Sequence, residues 1–236
     1  ISRGREKNTK FSYVLSLILL STIIFLLLNQ PDVGQSILLI TTWISIIFIS
    51  GIKISYIFII LGLVFFFLFS LLIIFPEKFG YIFDRLIIFF DPTKGDSFQT
   101  DKALAAIKQG GLKGQGMGEG ILKDSVPEAH TDYIIAVITE EFGSIISIFV
   151  ITIFLYISYK IIKTCIKISD ENSKISLCGL SALLIFQTFI HIGVNTNLLP
   201  TTGMTLPFLS YGGSSIISIS IMSGIILNLT KRKIIK

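Results

Sequence analysis

Apolar residues in this chain come in long unbroken runs separated by short polar turns. Phe11 to Leu28 is the first run. It is long enough to cross a hydrocarbon core of about 30 Å at roughly 1.5 Å per residue. Gln30-Pro31-Asp32-Val33-Gly34 then makes a tight polar turn, since Pro and Gly end one helix and admit the next. A second run covers 35–51, Gly51-Ile52-Lys53 turns the chain, and a third run covers 55–75 and stops before Pro76. Runs resume over 133–159, 175–195 and 214–229. The pattern predicts an all-α polytopic membrane protein: one domain over 1–236 with six spanning helices and one large loop, 76–131.

The loop has structure of its own. Tyr81 to Pro92 mixes aromatic residues with Asp84, Arg85 and Asp91, which suits a segment lying in the membrane interface. Asp101 to Gln109 predicts a short helix stopped by Gly110-Gly111. Gly114, Gly116, Gly118 and Gly120 then alternate. Their amides could cradle an anion, but no strand precedes them and no βαβ unit follows, so the stretch is read as a flexible hinge. A second irregular stretch, 195–213, carries Pro200, Gly203 and Pro207 between two spans. Non-helical backbone at that depth is tolerated only against protein or a water-filled cavity, so it predicts a re-entrant cavity wall.

Composition agrees with a membrane protein. The chain is 52% hydrophobic and 15% charged, against about 25% charged in soluble domains. The net charge of +5 is uneven. Arg3, Arg5, Lys7, Lys10, Lys53, Lys160, Lys163, Lys167, Lys174, Lys231, Arg232, Lys233 and Lys236 fall on the side of the termini, with few acids. Basic residues mark the cytoplasmic side, so both termini are expected there and 76–131 on the outer face. The charge excess is topological, which argues against nucleic-acid binding. Cys165 and Cys178 are expected as free thiols. No His, Cys and Asp cluster has metal-ligand spacing.

Chemistry concentrates at Pro127-Glu128-Ala129-His130-Thr131-Asp132, which runs into an apolar helix. A carboxylate at the mouth of a membrane helix is costly unless it is used. Asp132, Ala136, Thr139, Glu140, Gly143 and Ser147 share one helical face. Gly143 and Ser147 read as a helix–helix contact of small residues. Of Glu140 and Glu141, one is expected buried and either paired or protonated by desolvation, in a structural and not a catalytic role. His191, mid-span, reads as a satisfied buried histidine, and Ser50-Gly51-Ile52-Lys53 as a chance Ser-x-x-Lys.

Taken together, Gln30 to Gly34, Arg85 to Pro92, Gly114 to Gly120, Pro127 to Gly143 and Leu199 to Ser215 resemble the SEDS family (shape, elongation, division and sporulation proteins). The resemblance covers nearly the whole chain, and the wording of PEAHTD, GMGEG and GMTLPFLSYGGSS is closer to the division branch. Thr202 and His191 depart from that branch, where Lys and Asn are often found. The family fold has ten spans. The six here correspond to spans five to ten, and with Ile1 in place of Met the chain reads as the C-terminal portion of a longer protein.

The resemblance implies a peptidoglycan glycosyltransferase of the bacterial inner membrane, working at the division septum. It implies Asp132 as general base. It implies substrate binding by Arg85, Lys94, Lys123, Glu128, His130, Thr131, Pro200, Thr201, Ser210, Tyr211, Gly212, Gly213 and Ser214. Arg85 is the first candidate to neutralise a departing pyrophosphate, with Lys94 and Lys123 behind it; a divalent cation, Mg or Mn, could share that role. The implied partners are lipid II, a class B penicillin-binding protein, other division proteins and membrane lipid. Two other readings stay open on the sequence: a lipid II flippase, and a non-catalytic scaffold.

Overall fold

A computed structural model describes residues 2–53, 76–95 and 97–231, with scattered positions between 55 and 70. Among the described residues every regular element is a helix: α1 (Ser2–Asn29), α2 (Val33–Ile49), α3 (Pro76–Phe90), α4 (Phe98–Gly110), α5 (Ile134–Lys167), α6 (Glu171–Asn195) and α7 (Gly213–Lys231), with short 3₁₀ turns at Pro92–Lys94 and Lys123–Ser125. The span expected over 55–75 lies largely outside the described residues. Ser12–Asn29 of α1, and α5, α6 and α7, are long and apolar enough to cross a membrane. The apolar α2 is shorter, at 17 residues.

Local chemistry sets the boundaries. Asp32 caps α2 by accepting the Gln35 N–H at 2.9 Å, a contact of the kind that contributes about 1 kcal/mol. Trp43 Nε1 donates to Ser16 Oγ at 3.3 Å and ties α2 to α1. Asp170 caps α6 through the Ser173 N–H at 2.9 Å.

Two expectations need correction here. The helix expected over 133–159 does not stop there, because α5 continues to Lys167 and only 168–170 connect it to α6. The reason is periodicity: Ile161, Cys165 and Ile168 recur at helical spacing and are buried with Leu177, Leu184, Ile219 and Met222, which leaves the lysines on the opposite face. Gly143 is also not a helix–helix contact. It breaks α5, with φ 87° and ψ 166°, a backbone region open essentially only to glycine. Ser147 lies beyond the break and shares a hydrogen bond with Thr139 at 2.8 Å.

The break receives the glycine-rich stretch. The Gln115 N–H donates to Glu140 O at 2.9 Å, the Gly116 N–H to Glu141 O at 3.0 Å, and the Ser144 N–H to Gly111 O at 2.9 Å. A β-carbon at position 143 would lie 2.3 Å from Leu112 O, so only glycine lets the strands of chain approach. The stretch read as a hinge is therefore pinned, and its amides at Gln115 and Gly116 serve α5 instead of an anion. Glu140 completes the joint. Fully buried, it accepts the Leu122 and Lys123 N–H groups at 2.7 and 2.8 Å. Glu141 pairs with the Lys123 ammonium. Both acids thus hold the 122–123 turn against α5.

The largest buried apolar cluster joins Leu38 of α2, Ala103 and Ala106 of α4, Ala136 and Val137 of α5, Ile190 and Val194 of α6, and Met204. It brings the start of α5, the end of α6 and the 196–212 loop against one another.

Candidate active site

Asp132 stands two residues before α5, in a turn built by Glu128. Glu128 has φ 53°, and its carbonyl accepts the N–H groups of Thr131 and Asp132 at 3.1 and 3.0 Å. The Thr131 hydroxyl donates to Glu128 Oε2 at 2.8 Å. The turn is stitched to the 196–212 loop from the other side. Ser210 Oγ, buried, donates to Thr131 O at 2.6 Å and accepts the Leu206 N–H at 2.7 Å. The Tyr211 N–H donates to His130 O at 2.8 Å.

The Asp132 carboxylate is partly buried and faces Gly203, where a β-carbon would come within 3.5 Å of Oδ2. Burial holds its pKa above the ordinary carboxylate range, and the neighbouring Glu128 and Asp32 charges push the same way. The Arg85 guanidinium and the Thr131 hydroxyl pull it down. Arg85 belongs to α3, packs over the Tyr81 ring at 5.8 Å and donates from Nη1 to Thr201 O at 3.1 Å. That bond crosses from α3 to the 196–212 loop, within the field that acts on the carboxylate.

Two hollows flank this pair. A cavity of about 400 Å³ is lined by Gln35, Gln187, Gly203, Thr205, Ser214 and Ser215, among others, together with apolar side chains of α2, α6 and α7. Gly203, which the Asp132 carboxylate faces, is part of this lining. Thr205 and Ser215 share a hydrogen bond at 3.0 Å, and Gln187 Nε2 donates to Thr205 O at 2.9 Å. A second hollow of about 210 Å³, lined by Leu28, Ile37, Phe79, Ile82, Arg85 and Thr201 among others, is nearly all apolar.

The structure thus gathers Arg85, Glu128, His130, Thr131, Asp132, Pro200, Thr201, Ser210 and Tyr211 around one turn and one loop, with Gly212 and Gly213 leading into α7 and Ser214 on the larger cavity. It does not bring in the two lysines. Lys94 pairs with Asp91 at 3.0 Å on the surface, and Lys123 is committed to Glu141. Sequence reasoning missed Asp32, read only as a turn residue, and Asn195, the last residue of an apolar run. Asp32 had a signal, since it recurs in a polar turn on the same side as Asp132. His191 is buried and satisfied as expected, with Nδ1 at 2.7 Å from Met204 O. Asp32, Glu128 and Asp132 share an electrostatic field, but no group of three or more His, Cys, Asp or Glu among the described residues converges closely enough to hold a metal ion.

The family model of the FtsW, RodA and SpoVE cell cycle proteins matches residues 2–234. The chain belongs to the SEDS family.

SEDS relatives carry the name probable peptidoglycan glycosyltransferase FtsW. That of Caulobacter vibrioides is 37% identical over 208 residues, covering 88% of this chain and 52% of the relative. That of Buchnera aphidicola subsp. Baizongia pistaciae is 38% identical over 230 residues, covering 92% and 59%. That of Nitrosomonas europaea is 37% identical, covering 97% and 60%. The chain therefore spans between half and three-fifths of these relatives. Two solved structures share the fold. A chain from "Structural coordination of polymerization and crosslinking by a peptidoglycan synthase complex" superposes with a TM-score of 0.72 at 23% identity, covering 93% of this chain and 62% of that one. The rod shape determining protein RodA of Thermus thermophilus gives 0.61 at 22% identity, covering 94% and 57%.

Proposed function

We propose that this chain is part of an inverting peptidoglycan glycosyltransferase that polymerises lipid II during cell division. The observation that carries the reading is the Asp132 carboxylate, held partly buried at a helix mouth within the field of the Arg85 guanidinium and facing Gly203, which lines the larger cavity. The name its relatives carry supports the reaction class.

In this reading the 4-hydroxyl of an acceptor N-acetylglucosamine reaches Asp132. The carboxylate takes its proton as the oxygen attacks the anomeric carbon of a lipid-linked N-acetylmuramic acid. The new C–O bond forms as the bond to the pyrophosphate breaks, and undecaprenyl pyrophosphate leaves with the electron pair. Arg85 faces that developing charge. A raised carboxylate pKa makes Asp132 a better proton acceptor, provided it is ionised at working pH. The cavity lined by Gln187, Thr205, Ser214 and Ser215 offers hydroxyl and amide groups to sugars, and the apolar hollow beside Arg85 suits a prenyl chain. Lys94 and Lys123 are left out of the leaving-group role because each already has a carboxylate partner.

In this reading the protein works in the bacterial inner membrane at the septum, with both termini of this chain cytoplasmic and a class B penicillin-binding protein beside it. The test is to give the full-length protein and its transpeptidase partner labelled lipid II, in detergent and in liposomes. Glycan strands that vanish with Asp132→Ala support the reading. Transfer of lipid II across the liposome bilayer without polymer overturns it in favour of a flippase.

A further inference from the structure

Asn195 is the last residue of α6, fully buried, and its side chain reaches into the mouth of α5. The first turn of a helix leaves backbone N–H groups without internal partners. In a continued helix the Asp132 carbonyl would accept the Ala136 N–H. Here the Asn195 amide is inserted between the two. Its Nδ2 donates to Asp132 O at 2.8 Å, and its Oδ1 accepts the Ala136 N–H at 3.2 Å. The Ala136 N–H also reaches Tyr133 O at 2.9 Å. The helix consequently begins at Ile134, with Tyr133 at φ −118° and ψ 27°, and Asp132 stays outside it.

The orientation of this amide is chemically fixed. Nδ2 faces a second carbonyl, His191 O, at 2.9 Å, and carbonyls only accept. His191 stands behind it. Its Nδ1 faces Met204 O at 2.7 Å, so Nδ1 carries the hydrogen; its Nε2 lies 3.3 Å from Asn195 Nδ2, whose two hydrogens are directed at Asp132 O and His191 O, so the ring packs against the amide. Met204 follows Gly203, whose backbone faces the Asp132 carboxylate. The chain of contacts therefore closes on itself: Asp132 backbone, Asn195, His191, Met204 and Gly203, and back to the Asp132 side chain.

We infer that Asn195, backed by His191, is the positioning residue for Asp132: it locks the carboxylate-bearing turn to the loop wall that the carboxylate faces. The inference rests on the glycosyltransferase reading for its kinetic consequence, but not for its structural one. Asn195 touches no reacting atom. Its effect is on where the base sits, and a displacement of about 1 Å can lower a rate by on the order of a hundredfold.

The experiment uses full-length protein with its partner and labelled lipid II. Asn195→Leu keeps the shape and removes both hydrogen bonds. Asn195→Asp keeps the acceptor for Ala136 and removes the donor to Asp132, and it serves if the leucine variant does not fold. The expected result is a fall in kcat of roughly ten- to a hundredfold with KM unchanged, and faster amide exchange over 132–137. His191→Asn keeps a donor toward Met204 O and should lose less. Wild-type kcat and wild-type exchange in a folded Asn195 variant, with Asp132→Ala inactive, would overturn the inference and leave the glycosyltransferase reading intact. Lower thermal stability with unchanged exchange and a proportionate rise in KM would also overturn it, as a purely structural role. Should wild-type protein make no glycan, that reading fails instead, and the exchange over 132–137 alone decides whether Asn195 holds the turn.

Discussion

Gly203 leaves the Asp132 carboxylate room: a β-carbon at 203 would lie 3.5 Å from Asp132 Oδ2, on a backbone with φ 69°. That φ costs a side-chain-bearing residue about 1–2 kcal/mol, and the added carbon narrows the gap between the base and the cavity. Gly203→Ala is expected to slow polymerisation, and Gly203→Val to slow it much more. Equal rates for the two variants, measured on labelled lipid II, would show that the gap is not used.

The pH dependence follows from the groups around Asp132. A base must be ionised, so the rate should rise with pH through the Asp132 pKa, and burial sets that midpoint above the ordinary carboxylate range. Glu128 on the same turn and Asp32 before α2 raise it, while Arg85 from α3 lowers it. Glu128→Gln should therefore move the acid limb of the kcat profile to lower pH, and Arg85→Ala should move it to higher pH. Shifts in the opposite directions would contradict the charge arrangement.

Arg85 has a second role to lose. Its guanidinium both reaches Thr201 O and faces the site, and a lysine cannot reproduce the fork. Arg85→Ala is expected to reduce kcat by roughly ten- to a hundredfold, with Arg85→Lys only partly restoring it. Lys94→Ala should leave turnover unchanged, because a surface pair of this kind contributes about 0–1 kcal/mol even to stability. A large kinetic loss from Lys94→Ala would return that lysine to the leaving-group role.

The break in α5 is expected to be fragile. Gly143→Ala forces a β-carbon against Leu112 O and requires a backbone region that alanine avoids, at a cost of about 1–3 kcal/mol. The 110–125 segment should come loose from α5, seen as lower thermal stability and faster amide exchange over 111–116. Unchanged exchange there would mean that the pinning by Gln115, Gly116 and Ser144 is not what holds the segment.

Much of this was legible in the sequence, for a physical reason. Long apolar runs and polar turns report membrane spans directly, and Asp132 announces itself because a carboxylate there is costly unless it is used. The break at Gly143 was not legible: glycine fits a helix–helix contact and a left-handed backbone equally well, and only the chain returning from Leu112 decides between them. The continuation of α5 past Tyr159 was hidden by lysines, although Ile161, Cys165 and Ile168 keep the helical period. Asn195 was invisible because its importance is tertiary. Nothing in the run 175–195 says that its last amide will meet the Asp132 carbonyl from a helix 63 positions away in sequence.

The most direct measurement is the rate of lipid II polymerisation by full-length protein carrying Asp132→Asn, with its partner present. Asparagine keeps the size and the hydrogen-bonded turn but cannot take up the sugar proton. Loss of glycan strands with lipid II binding retained is the predicted result. Polymer formed at the wild-type rate would contradict the assignment of Asp132 as the base.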